Sequence, residues 1–148
     1  MRTLTSLIIC IVFTCNNSCG QTKISSDEKQ IEKMLQEFYN NYFTVFATEP
    51  IGVSSQKKLE MLQQQYCTEA FYRKIQDIVE QTEADPFLKA QDSDIKYLRT
   101  LSIKKDMQSK DTYIASYVGN AALGETVTIA IHLTVVKVNG KYKIDNVW

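Results

Sequence analysis

Asp85, Asp92 and Asp94 fall within the stretch Glu83–Asp94, the densest acidic cluster of the chain. Carboxylate oxygens are hard ligands, so three that converge would suit a divalent cation. A carboxylate withdrawn from water also gains a raised pKa and can serve as a general base. The spacing is not that of a calcium loop, because the further acidic positions and the turn glycine are missing. Helix capping and solvated loop carboxylates account for all three residues without a metal. His132, the sole histidine, is a second candidate base, since an imidazole oriented by a carboxylate can take a proton. Its expected place is mid-strand, diagonal to Asp145 and with no nucleophile beside it, where an ordinary cross-strand contact is the simpler reading. Cys67 has no histidine near it in sequence and reads as a small buried apolar residue. A glycine-rich phosphate loop, a Ser-His-Asp arrangement and a Cys/His metal spacing are all missing, so neither a cofactor nor a catalytic residue is predicted.

The acidic stretch marks a change of period. Before it, apolar residues recur at helical spacing; after it they alternate as in strands. Ser25 with Glu28 forms a capping box that starts a helix running to about Ala47, with Ile31, Met34, Leu35, Phe38, Tyr42 and Val45 on its apolar face. Glu49-Pro50 should end it. A second helix is expected from about Ser54, burying Leu59, Leu62 and Tyr66. Thr68 caps a third that carries Phe71, Ile75, Ile78 and Val79. Asp85-Pro86 reads as the cap and first position of a single helical turn, Pro86–Gln91, anchored by Phe87 and Leu88. The hydroxyls of Tyr39, Tyr42, Tyr66 and Tyr72 are available to a pocket, although aromatics at helical spacing are more often plain core.

Strands are expected at about Tyr97–Lys104, Tyr113–Gly119, Glu125–Val138 and Lys141–Val147. Asn139-Gly140 joins the last two as a two-residue hairpin, since both central positions of that turn need positive φ. Continuing its register pairs Val138 with Lys141, Val136 with Lys143, Thr134 with Asp145 and Ile131 with Trp148. Val127, Ile129, Ile131, Leu133 and Val135 then share an inner face with Tyr142, Ile144, Asn146 and Trp148. Tyr42, Asn146 and Trp148 are therefore the candidate pocket residues. Ala130, His132, Thr134 and Val136 share the outer face with Lys141, Lys143 and Asp145. That face is only partly polar, which suits a partner or a homodimer.

Composition bounds the partners. Lys+Arg and Asp+Glu balance at 17 each, and no basic cluster is dense enough to follow a phosphate backbone, so nucleic acid is not expected. Met1–Gly20 has the order of an export signal: Arg2, the apolar run Leu4–Phe13, then small and polar residues. The run is too short to span a bilayer, which takes about 20 apolar residues. Cys10, Cys15 and Cys19 lie in this segment. Cys19 or Cys15 is the expected lipid attachment site, each with a partial match to a lipoprotein signal, and ordinary cleavage near Gly20 is the alternative. Cys67 is left as the one cysteine of the folded domain, so no disulfide framework is available. The expected organisation is a signal at 1–20, a tether at 21–26 and one domain at 27–148.

The whole pattern predicts an α+β fold with N-terminal helices packed on a curved antiparallel sheet of about four strands. The ending Lys141–Trp148, Lys-Tyr-Lys-Ile-Asp-Asn-Val-Trp, resembles the last strand of nuclear transport factor 2-like and cystatin-like domains. Taken with Phe38-Tyr39 and the segment Ala84–Asp92, it resembles a family of small exported bacterial proteins that carry a domain of unknown function in that group. The resemblance implies a cone-shaped fold and export, and it brings no catalytic residues; as a lipoprotein the chain is expected in the periplasm or at the outer membrane, and otherwise secreted. The expectation is an exported, lipid-anchored, non-enzymatic binding domain at the bacterial cell envelope, recognising a protein or a small ligand. One alternative is a carboxylate- or metal-dependent enzyme working through Asp85, Asp92 or Asp94. Another is a toxin-neutralising or envelope-complex subunit.

Overall fold

The computed structural model of the protein describes residues 25–48, 52–91, 93–120 and 125–148. Helices α1 (Ser26–Thr48), α2 (Val53–Tyr66) and α3 (Glu69–Thr82) precede a 3-10 helix, Ile95–Thr100. Four strands follow, β1 (Ser102–Lys105), β2 (Thr112–Asn120), β3 (Thr126–Val138) and β4 (Lys141–Val147). They form one antiparallel sheet in sequential order. The helices cover one face of this open sheet, as the α+β reading predicts.

Local chemistry explains the helix starts. Ser25 Oγ accepts from Glu28 N at 3.1 Å, while the Glu28 carboxylate lies 3.9 Å from Lys105 Nζ and ties α1 to β1. Gly52 precedes α2, and Ser55 Oγ accepts from Gly52 N at 2.9 Å. Thr68 caps α3 by accepting from Phe71 N at 3.2 Å, and its own hydroxyl donates to Asp145 Oδ1 at 2.8 Å. The same residue's amide donates to Ile144 O at 2.8 Å, so the α2–α3 connection lies along the edge of β4. Covering an edge in this way withdraws its backbone groups from other chains.

The core joins both halves. Leu35, Phe38, Tyr39, Tyr42 and Phe43 of α1 meet Phe71 and Ile75 of α3 and the anchors Phe87 and Leu88. Tyr113, Ala115, Tyr117, Ile131, Leu133, Val135 and Ile144 supply the sheet side, and all are buried. Phe87 sits against Phe38, Tyr42 and Phe71, with ring centroids 4.9, 5.1 and 6.0 Å away. Aromatic contacts at these separations add stabilisation beyond the area they bury.

Three expectations are corrected. The stretch expected to begin the first strand, from Tyr97, is instead the 3-10 helix, with the strand confined to Ser102–Lys105. Asp94 Oδ1 caps that helix by accepting from Lys96 N at 2.9 Å. Tyr97 stacks on Tyr117 at 5.7 Å, and Thr100 Oγ1 accepts from Val118 N at 2.9 Å in place of a strand partner. The turn after Pro86 does not continue as a helix. Lys89 N donates to Asp85 O at 2.7 Å, but Lys89 itself takes φ +49° and returns the chain so that Asp85 N meets Ala90 O at 3.0 Å.

The third correction concerns the sheet register. Asn139 and Gly140 take φ +50° and +78°, and Val138↔Lys141 and Val136↔Lys143 pair as expected. Beyond them the pairing shifts between Thr134 and Val135, so Val135 faces Ile144 and Thr134 faces Asn146. Asp145 is the extra residue of a β-bulge, held by its bond from Thr68. With a side-chain period of two, one extra residue exchanges the faces of everything after it. Val147 turns inward and is buried, while Trp148 is 50% exposed. Trp148 exchanges two backbone hydrogen bonds of 3.1 Å with His132 and stacks on its ring at 5.7 Å, so Ile131 is not its partner.

Candidate functional site

A cavity of about 610 Å³ opens between the C-terminal half of α1, α2, α3 and residues 83–91. A volume of that size suits a small molecule. Val45, Phe46, Leu59, Ile75 and Val79 give it apolar walls, and Tyr42, Gln63 and Asp85 place a polar group there. The helices present these side chains for a simple reason. Tyr42 follows the 3,4 spacing of α1's buried face, while Gln63 and Leu59 lie one turn apart on α2.

The polar group is a relay. Gln63 Nε2 donates to the Tyr42 hydroxyl at 2.9 Å, and that hydroxyl donates to Asp85 Oδ2 at 2.6 Å. The second Asp85 oxygen accepts from Phe87 N at 2.9 Å and Leu88 N at 3.1 Å. The Leu88 carbonyl in turn accepts from Tyr117 OH. The carboxylate thus fastens the Asp-Pro-Phe-Leu turn to α1, and the turn fastens itself to the sheet.

Burial raises the pKa of Asp85 from 3.8 to about 6, against the opposing pull of hydrogen bonds from Tyr42, Phe87 and Leu88. Burial also holds the Tyr42 phenol well above its ordinary value, with the Asp85 charge adding to the effect. Near neutral pH the arrangement is therefore a carboxylate accepting from a neutral phenol. No Lys or Arg pairs with Asp85 among the described residues' ion pairs.

The other candidate residues lie apart from this group. Asp94 is exposed at the cap of the 3-10 helix, where Lys96's ammonium and backbone amide lower its pKa and the ammonium lies 2.8 Å away. Asp92 lies outside the described residues. Among the described residues there is no group of three His, Cys, Asp or Glu side chains placed to hold a metal. Of the expected pocket residues, Tyr42 lines the cavity, whereas the bulge puts Asn146 and Trp148 on the exposed outer side of the sheet.

His132 faces Trp148 across the strands, while Asp145 is engaged by Thr68. Cys67 is buried, and burial pushes its thiol up to about 12, partly offset by the Lys143 charge. Of the four tyrosines considered for a pocket, Tyr42 and Tyr72 line the cavity, Tyr66 packs on Phe38, and the buried Tyr39 hydroxyl has no hydrogen-bond partner. Gln63 was not legible as a site residue. Its one signal is a glutamine on the same edge as Leu59 and Tyr66, polar where an apolar residue fits the pattern. The expected lipid attachment sites, Cys19 and Cys15, lie outside the described residues.

No family model matches the chain, and no curated protein matches it. Among solved structures it is similar to a protein of unknown function from Bacteroides thetaiotaomicron, with 28% identity and a TM-score of 0.73 over 83% of this chain and 95% of that one. It is also similar to a chain of the type VI native effector–immunity complex Tae3–Tai3 from Ralstonia pickettii, with 13% identity and a TM-score of 0.56 over 84% of this chain and 94% of that one. These likenesses agree with the α+β architecture.

Proposed function

We propose that the protein is a non-enzymatic binding domain, exported and lipid-anchored at the cell envelope, whose ligand seat is the cavity between α1, α2 and α3. The observation that carries this reading is the combination of about 610 Å³ of space with apolar walls and the polar group Gln63–Tyr42–Asp85. The hydrogen bonds that Asp85 accepts from Tyr42, Phe87 and Leu88 hold the turn against α1 and form one wall of that seat. The resemblance of Lys141–Trp148 to nuclear transport factor 2-like domains supports the same reading, because that group is prone to pockets, and Met1–Gly20 supports export. Native mass spectrometry of the protein drawn from its own envelope tests it. A retained small molecule is expected, and it should be lost when Val79→Trp fills the cavity. Turnover of an envelope substrate by the protein, lost in a cavity variant, would overturn it.

A second reading is a toxin-neutralising subunit with a protein partner. The likeness to a chain of an effector–immunity complex favours it through the fold, and the partly apolar outer face with Trp148 offers a surface. Co-expression with a candidate effector should restore growth if this reading holds, and Trp148→Ala should weaken the protection. Protection unchanged by substitutions across that face would move the interface elsewhere.

A further inference from the structure

We propose that the cavity takes a ligand bearing a protonated amine on an apolar body, its ammonium seated by the Asp85 carboxylate and the side-chain carbonyl of Gln63. The proposal rests on the reading of the cavity as the binding site and names the chemistry of the occupant. Three observations carry it.

The first is the state of Asp85. Asp85 is one of the residues that line the cavity, and the three donors its oxygens meet, Tyr42 OH and the Phe87 and Leu88 amides, are all neutral. A part-buried carboxylate without a counter-charge is costly to keep ionised, and a cation beside it removes much of that cost. Oδ2 accepts one bond, which leaves it capacity for another donor.

The second is the orientation of Gln63. Tyr42's proton is committed to Asp85, so the Tyr42 oxygen must accept, and the amide of Gln63 must be the donor. That assigns the amide's nitrogen to Tyr42 and leaves Gln63 Oε1 with no hydrogen bond among the described residues, an accessible atom on a residue otherwise only 9% exposed. Asp85 Oδ2 and Gln63 Oε1, on either side of the Tyr42 hydroxyl, are therefore both acceptors with capacity left, which suits a ligand group that donates there.

The third is the charge of the walls. Among the described residues Glu60, Glu83 and Asp85 line the cavity against one cation, Arg73, and Arg73 already lies 2.9 Å from Glu69. An anionic ligand would meet net repulsion, whereas an ammonium is drawn in. Tyr42 and Phe46, stacked with centroids 6.4 Å apart, and Tyr72 put aromatic rings on the same walls, and aromatic faces attract cations. Val45, Leu59, Ile75 and Val79 accept the apolar body.

Isothermal titration of the full chain with octylamine, octanol and octanoate decides it, since the three share one apolar chain and differ in the head group. Octylamine should bind at least about tenfold more tightly than octanol, the range expected for hydrogen bonds to a charged group, and octanoate should bind weakest. Asp85→Asn keeps an acceptor for the Phe87 and Leu88 amides and should bring octylamine and octanol within about threefold of each other. Should that variant fail to fold, Gln63→Met must narrow the same preference several-fold while octanol binding holds. Octanol or octanoate binding as tightly as octylamine would overturn the amine assignment and leave the cavity reading standing. Absence of binding by all three would overturn both.

Discussion

The Tyr42 hydroxyl donates to Asp85 Oδ2 at 2.6 Å across 43 residues of chain, joining the first helix to the turn between the helical and sheet halves. Because Asp85 also caps that turn, the bond couples local backbone geometry to the packing of α1. It also borders the cavity, so structure and candidate function share one pair of residues.

Tyr42→Phe removes this coupling with little change of volume. It leaves Asp85 Oδ2 without its donor and Gln63 Nε2 without its acceptor, so a loss of about 1–3 kcal/mol is expected. Urea unfolding of the single variants and of Tyr42→Phe/Asp85→Asn should show non-additivity above about 0.5 kcal/mol. Strict additivity would mean that the two side chains act independently.

The raised pKa of Asp85 has a definite sign in stability. Between about 4 and about 6 the folded chain holds a proton that the unfolded chain has released, so this group's contribution falls as pH rises through that window. A shift of this size corresponds to on the order of 2–3 kcal/mol. The difference in unfolding free energy between the protein and Asp85→Asn should therefore change across pH 4–6 in favour of the variant at the higher pH, and level off above about 7. A difference independent of pH would place the carboxyl at its ordinary pKa.

The bulge at Asp145 makes a prediction about the single tryptophan. Trp148 is half exposed and stacked on His132, so iodide should quench its fluorescence in the native protein. Trp148→Ala should cost only about 0.5–1 kcal/mol, the worth of one aromatic contact. Deleting Asp145 should remove the bulge yet leave Asn146, Val147 and Trp148 opposite Thr134, Leu133 and His132, so Trp148 should stay outward and open to iodide, and protection from iodide would show that the register had slipped.

Cys67 is buried and its thiol is pushed up to about 12, and a thiol that is neither accessible nor ionised reacts slowly. In a chain beginning at Gln21, where Cys67 is the one cysteine, a disulfide reagent should label it only as fast as the fold opens. Labelling should become immediate in denaturant. Rapid labelling of the native state would show that the segment pairing with Ile144 opens freely.

What the sequence alone determined is whatever neighbouring residues settle among themselves. The caps at Ser25 and Thr68, the Asn139-Gly140 turn and the buried Ile131, Leu133 and Val135 follow from local hydrogen bonding and from period. The Asp85 cap of the Phe87 and Leu88 amides was local too. The cavity was not legible, because it is the space left between three helices whose spacing depends on side chains distant in sequence. Tyr42 was recognisable as an inward tyrosine, but its choice of Asp85 is a contact made only when α1 and the turn pack together. The bulge was hidden for the same reason. Thr68, between α2 and α3, holds Asp145 across 77 residues of chain, and that one tertiary bond accompanies the shift that sends Asn146 and Trp148 to the outer face.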